Sequence, residues 1–152
     1  MTEKQKAAVA LFESGSVNCA QAVLCAFAPE LHMDVDTLAH LASGFGGGVG
    51  RLRGMCGAVS GMCMAAGMLY GYGLNDTDEQ KAATYAVIQQ LVKAFEAEHG
   101  TINCGELMRS LAEKKEPTPT PRTAEFYATR PCSRFVATAA GLLEAYGKES
   151  QT

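Results

Sequence analysis

The sequence predicts an all-α fold, a single-domain bundle of about six or seven helices over residues 1–152. Apolar residues recur at three- and four-residue spacing in one segment after another. Alanine and glycine are abundant while β-branched residues are sparse, a balance that favours helices over strands. No stretch alternates apolar and polar residues as a half-buried strand does, and no repeat of fixed period occurs. At 152 residues the chain can bury a core of its own. Hydrophobic residues make up 47% and charged ones 19%, which excludes a disordered chain.

Ala7, Ala8, Leu11 and Phe12 give the first helix its apolar side between Thr2 and Ser14, and Gly15 ends it. Asn18 caps a second helix that starts at Cys19, carries Ala22, Val23, Ala26 and Phe27, and closes at Pro29. Asp34 or Asp36 caps a short third helix with Leu38, Leu41 and Ala42 on one side. A Gly-rich loop from Gly44 to Gly50 follows, with Arg51 and Arg53 at its end. The fourth helix is expected from near Gly54 to about Tyr70. Gly57, Ala58, Gly61 and Ala65 allow close helix approach, and Met55, Met62, Met64 and Met68 are adaptable core filler. Asp76 or Thr77 caps a long fifth helix lined by Ala83, Val87, Leu91, Ala94 and Phe95 and ending at His99-Gly100. Asn103 caps a sixth, which starts at Cys104 and runs to about Lys115. Residues 117–121, Pro-Thr-Pro-Thr-Pro, read as an extended linker. The last helix follows Pro131-Cys132, carries Phe135, Val136, Ala139, Leu142, Leu143 and Tyr146, and stops at Gly147.

A net charge of -3 gives no electrostatic basis for binding nucleic acid or an anionic membrane. Gly54 to Asn75 is uncharged and about as long as a spanning helix, with Gly57 and Gly61 in G-x-x-x-G spacing. Its further glycines, Ser60 and two tyrosines argue instead for a buried central helix. Any exposed remainder of that helix could form a homodimer contact. The N-terminus lacks the apolar run of a secretory signal, so a cytoplasmic location is expected, where six cysteines stay reduced.

Four cysteines share one context. Cys19 follows Asn18, Cys104 follows Asn103, Cys132 follows Pro131 and Cys56 follows the glycine loop. Each sits at an expected helix start, where free N–H groups and the positive dipole end favour a thiolate. Cys25 and Cys63 fall mid-helix and read as buried apolar residues. Cys63 shares a helix face with Cys56 but stands about 10.5 Å away, too far for a disulfide or one metal ion. C-x-x-C and C-x-x-C-H are absent, so neither a thioredoxin-like pair nor a covalent haem site is present.

Three functions remain open. Cys19, Cys56, Cys104 and Cys132 are the right donors for zinc or an iron–sulfur cluster that exchanges electrons with a partner of unspecified identity. Two of the four could instead cycle between dithiol and disulfide, as a redox enzyme or sensor. Or the chain is a non-catalytic module in which Gly46, Gly47, Gly48 and Arg51 hold an anion. That loop lacks the ending of a Walker motif, and no strand precedes it as in a dinucleotide fingerprint. His32, His40 and His99 lie at turns or helix ends, and no hydroxyl nucleophile has a recognisable base.

The order Asn18-Cys19-Ala20-Gln21-Ala22-Val23, then Cys56-Gly57-Ala58-Val59-Ser60-Gly61, Asn103-Cys104-Gly105-Glu106-Leu107 and Pro131-Cys132 resembles the redox-active protein family named for its cysteine pattern, C_GCAxxG_C_C. The resemblance spans most of the chain and maps the family cysteines onto Cys19, Cys56, Cys104 and Cys132. Where the family name reads Gly-Cys-Ala, this chain has Cys56-Gly57-Ala58. The resemblance implies redox activity. A similar domain in split-Soret cytochromes implies an iron–sulfur cluster, here without the haem.

Overall fold

Thr2, Asn18, Asp34, Thr77, Asn103 and Thr123 each accept a hydrogen bond from the backbone N–H three residues on, and each opens a helix. The computed structural model describes residues 1–109 and 115–151. Its helices are α1 (Glu3–Glu13), α2 (Cys19–Ala26), α3 (Ala28–Leu31), α4 (Val35–Ala42), α5 (Gly57–Tyr70), α6 (Asp78–His99), α7 (Cys104–Met108), α8 (Ala124–Thr129) and α9 (Cys132–Ser150), with a 3-10 turn at Ser43–Phe45. Six helices have at least eight residues, and the described residues contain no strand. The fold is all-α.

α2 is the hub. Its Ala20, Ala22, Val23 and Leu24 are fully buried, and it packs against α1, α4, α5 and α9. The α2–α5 contact depends on glycine. A Cβ on Gly61 would stand 2.5 Å from the Ala20 carbonyl oxygen and 3.1 Å from Val23 Cβ. The G-x-x-x-G spacing thus serves an interior helix contact. At 14 residues α5 is about 21 Å long, short of the ~30 Å hydrocarbon thickness. Among the described residues no helix is long and apolar enough to cross a membrane. Leu24, Leu38, Met62, Phe95 and Leu143 fill the centre. Each such side chain contributes about 1.5–3 kcal/mol by burial.

Four boundaries differ from expectation, and one short helix was not expected. Pro29 does not close α2: the chain bends at Phe27, and Pro29 sits in the first turn of α3, where its missing N–H costs nothing. α5 starts at Gly57, because Cys56 before it is non-helical with ψ 131° and Met55 bridges to Asn103. α8, only six residues long with Phe126 its one buried residue, offers too little periodicity to detect. α9 continues through Gly147 to Ser150. The sixth expected helix ends at Met108: Arg109 has φ 53° and Lys115 is not helical, while 110–114 of its expected span lie outside the described residues.

Asn18 does more than cap α2. Its Oδ1 accepts from Gln21 N–H, its Nδ2 donates to the Ser43 carbonyl, and Gln21 reciprocates by accepting from Asn18 N–H. Asn18→Ala is expected to lower stability by about 1–2 kcal/mol, read as a shifted urea midpoint with unchanged slope.

Candidate functional site

The starts of α2, α5, α7 and α9 converge on one cavity of about 380 Å³, and Cys19, Cys56, Cys104 and Cys132 all line it. Three local devices bring them there. Asn caps place Cys19 and Cys104 as the first residues of α2 and α7. A pair of backbone hydrogen bonds, Cys56 N–H to the Ile102 carbonyl at 2.7 Å and Cys104 N–H to the Gly54 carbonyl at 2.6 Å, joins the chain before α5 to the chain before α7. Pro131 precedes Cys132 at the start of α9. Gly57 explains the Cys-Gly-Ala order, since a Cβ there would run into Cys19 Sγ. Cys25 and Cys63 do not line the cavity: Cys25 is buried beside the Val35 carbonyl and Cys63 is half-buried in α5. All six cysteines are thiols.

The glycine loop forms the cavity's rim. Residues 47 to 51 all have positive φ, between 57° and 74°, and Arg53 has φ 63°. Val49, Arg51 and Arg53 hold this left-handed conformation at a cost that glycine avoids. The loop compensates by bonding to itself: Gly50 N–H donates to the Gly44 carbonyl, Arg53 N–H to Gly47 and Gly54 N–H to Gly48. Of the residues proposed to hold an anion, Gly46, Gly47 and Arg51 line the cavity. Gly48 is buried behind the wall, where an added Cβ would stand 2.7 Å from Cys104 Cβ.

Burial, not the helix starts, decides how Cys19, Cys56 and Cys132 titrate, which corrects the expectation of easy ionisation for these three. Desolvation pushes the Cys19 thiol up, aided by Cys104 and opposed by N–H groups of Gly47, Ala20 and Cys19 itself. It pushes Cys56 well up, with Cys19 and Cys132 adding to it against the N–H groups of Val59 and Ala58. Cys132 is pushed up to about 12, chiefly by burial and then by Cys19 and Cys104, with Arg130 and Arg122 acting the other way. The helix-start donors therefore exist and act in the expected direction, but they are the weaker influence.

The cavity also carries arginines the local sequence pattern did not single out. Arg122 and Arg130 line it with Arg51 and Arg53. Arg53 is buried, its Nη1 3.9 Å from Cys104 Sγ. Arg122 donates to the Phe12 and Val17 carbonyls, and its guanidinium and that of Arg130 each stack about the Phe126 ring at 4.8 Å. Met108 Sδ lies 3.8 Å from both Cys132 Sγ and Arg130 Nη1. Pro117, Pro119 and Thr120 of the proline segment complete the wall, so the extended linker is also part of the site. His99 lies elsewhere, against Phe95, Phe135 and Thr138 Oγ1, and burial holds its pKa down.

Among the described residues no three His, Cys, Asp or Glu side chains stand close enough to hold a metal ion. The four thiols surround a space instead of converging on a point. One zinc ion needs sulfur at about 2.3 Å on every side, whereas the thiolates of a cluster reach different irons. The four thiols thus share one cavity without forming, among the described residues, a single-ion site.

No curated protein and no solved structure gave a significant match. The family model described as "Putative redox-active protein (C_GCAxxG_C_C)" matches residues 17–146, a span that holds all four cysteines of the cavity. The chain belongs to that redox-active family.

Proposed function

We propose that Cys19, Cys56, Cys104 and Cys132 are one four-thiol centre for electron transfer, anchoring an iron–sulfur cluster. The observation that carries this reading is the meeting of four cysteine-bearing helix starts on a single cavity. When bound, such a cluster supplies one-electron chemistry. The chain's own residues do the rest. The N–H groups of Gly47, Ala20, Ala58 and Val59 are donors for thiolate sulfur at Cys19 and Cys56. Arg53 beside Cys104, and Arg122 and Arg130 near Cys132, offset the negative charge of ligating thiolates. Met108 and Phe126 are buried cavity residues that help exclude water. An electron donor or acceptor completes the function.

The test is anaerobic reconstitution with ferrous iron and sulfide, followed by desalting. The expected result is retained iron and sulfide with visible absorbance that bleaches on reduction, lost in Cys56→Ser and Cys104→Ser but kept in Cys63→Ser. Failure of the wild-type chain to retain iron and sulfide rejects the reading. A second reading is a dithiol–disulfide couple between two of the four, supported by their lining one cavity. Thiols trapped before and after mild peroxide then report a linked pair among the four.

A further inference from the structure

We propose that Arg51, Arg130 and Thr120, which line the cysteine cavity, form a binding site for the carboxylate or phosphate group of a small molecule. Arg51 Nη1 donates to Thr120 Oγ1 at 3.1 Å, and Arg130 Nη2 donates to the same oxygen at 3.4 Å. Two guanidiniums thus meet on one neutral hydroxyl. Among the described residues neither has a carboxylate partner, and the ion pairs there involve only Lys4, Lys6, His40 and Lys81 as cations. Arg51 is otherwise held by the Glu116 carbonyl, and Arg130 by Met108 Sδ and the Phe126 ring. Their proximity matters electrically, since Arg51 and Arg53 both hold the Arg130 pKa down, after burial as the main cause.

The site is a set of donors. Thr120 Oγ1 accepts twice, and its own O–H enters no hydrogen bond among the described residues. Guanidinium and hydroxyl protons together suit a ligand group that only accepts, which is the character of an ionised carboxylate or phosphate. Among the described residues no Asp or Glu lines the cavity to compete. Its volume lies in the range of small-molecule sites, and Phe12, Leu107, Pro117 and Pro119 offer apolar contact beside the polar corner. Balancing thiolate charge does not account for Arg51, whose polar contacts are Thr120 and Glu116 and not a sulfur.

This site goes beyond the thiol centre and does not depend on it. The experiment uses reduced, metal-free protein at low ionic strength, titrated by calorimetry with inorganic phosphate and, separately, with succinate. Saturable binding of at least one is expected, with a melting temperature raised by about 5 °C or more near a hundredfold excess over Kd. Arg51→Gln and Arg130→Gln should each weaken it by about tenfold or more, Thr120→Ala by less, and Lys93→Gln not at all. The tighter of the two probes identifies phosphate or carboxylate as the group recognised. A Cys19→Ser/Cys132→Ser variant should still bind the anion, so loss of the cluster reading leaves this result intact. Absence of saturable binding of both probes to the wild-type chain overturns the proposal. So does equal binding by wild type, Arg51→Gln and Arg130→Gln. If an arginine variant fails to fold, Thr120→Ala and the salt dependence of wild-type binding decide, and binding that is indifferent to both overturns it.

Discussion

Gly61→Ala is expected to destabilise the protein by about 2 kcal/mol, while Gly67→Ala on the same helix stabilises it by up to about 1 kcal/mol. Helix propensity alone gives both substitutions the same sign, since alanine is the better helix former by about 1 kcal/mol. The surroundings separate them. A Cβ at Gly61 meets the Ala20 carbonyl oxygen at 2.5 Å, and that oxygen belongs to the backbone of the hub helix α2, which cannot step aside alone. Overpacking of this kind costs about 1–3 kcal/mol. A Cβ at Gly67 meets nothing within 4 Å. For a chain of this size the Gly61 change lowers the melting temperature by about 4–8 °C. Paired urea and thermal melts of the two variants measure this, and equal effects would show that the α2–α5 contact is looser than described. Gly57→Ala should add a second consequence, because its Cβ points at Cys19 Sγ and would displace a thiol of the centre.

The reduced, metal-free protein is expected to lose stability as the pH rises above about 8.5, the ordinary thiol value. Cys19, Cys56 and Cys132 are all pushed up in the folded chain, Cys132 to about 12. Below the unfolded pKa both states keep these protons, and the contribution of the raised pKa is fully present. Between the unfolded and folded values the unfolded chain releases protons that the folded chain retains, so folding weakens. Each thiol in that window removes about 1.4 kcal/mol per pH unit. The loss for Cys132 continues until the pH passes through about 12. Urea unfolding at a series of alkaline pH values, wild type against Cys132→Ser, isolates its share as the difference in slope. A variant with the same slope as wild type would remove Cys132 from the set of buried thiols. Metal loading acts in the opposite direction, because ligating sulfurs are already deprotonated and their binding releases protons.

Much of this site could be read from the chain because its signals are local. Asn18-Cys19 and Asn103-Cys104 each put a cap directly before a thiol, and Pro131-Cys132 marks a helix start equally well. The apolar stripes of α1, α2, α6 and α9 likewise announce themselves within a few turns. What escaped was long-range or competitive. The bridge from Met55 to Asn103 joins segments with no shared pattern. Arg122 and Arg130 reach the cavity from a stretch without periodicity, on either side of the short α8. The pKa values of Cys19, Cys56 and Cys132 went the other way from expectation because helix starts brought together also bury what they hold, and desolvation is the larger influence.

The self-bonded glycine loop has one more consequence, for which changes the chain tolerates. Its Gly47 N–H reaches Cys19, the Gly54 carbonyl at its end holds Cys104 N–H, and Cys56 follows two residues later. Its hydrogen bonds close on themselves across the left-handed run, so the loop has no slack to absorb an added or missing residue. Surface loops commonly accept insertions, but one residue added between Gly47 and Gly54 would shift three thiols at once. The length of this loop is the ruler that spaces the site.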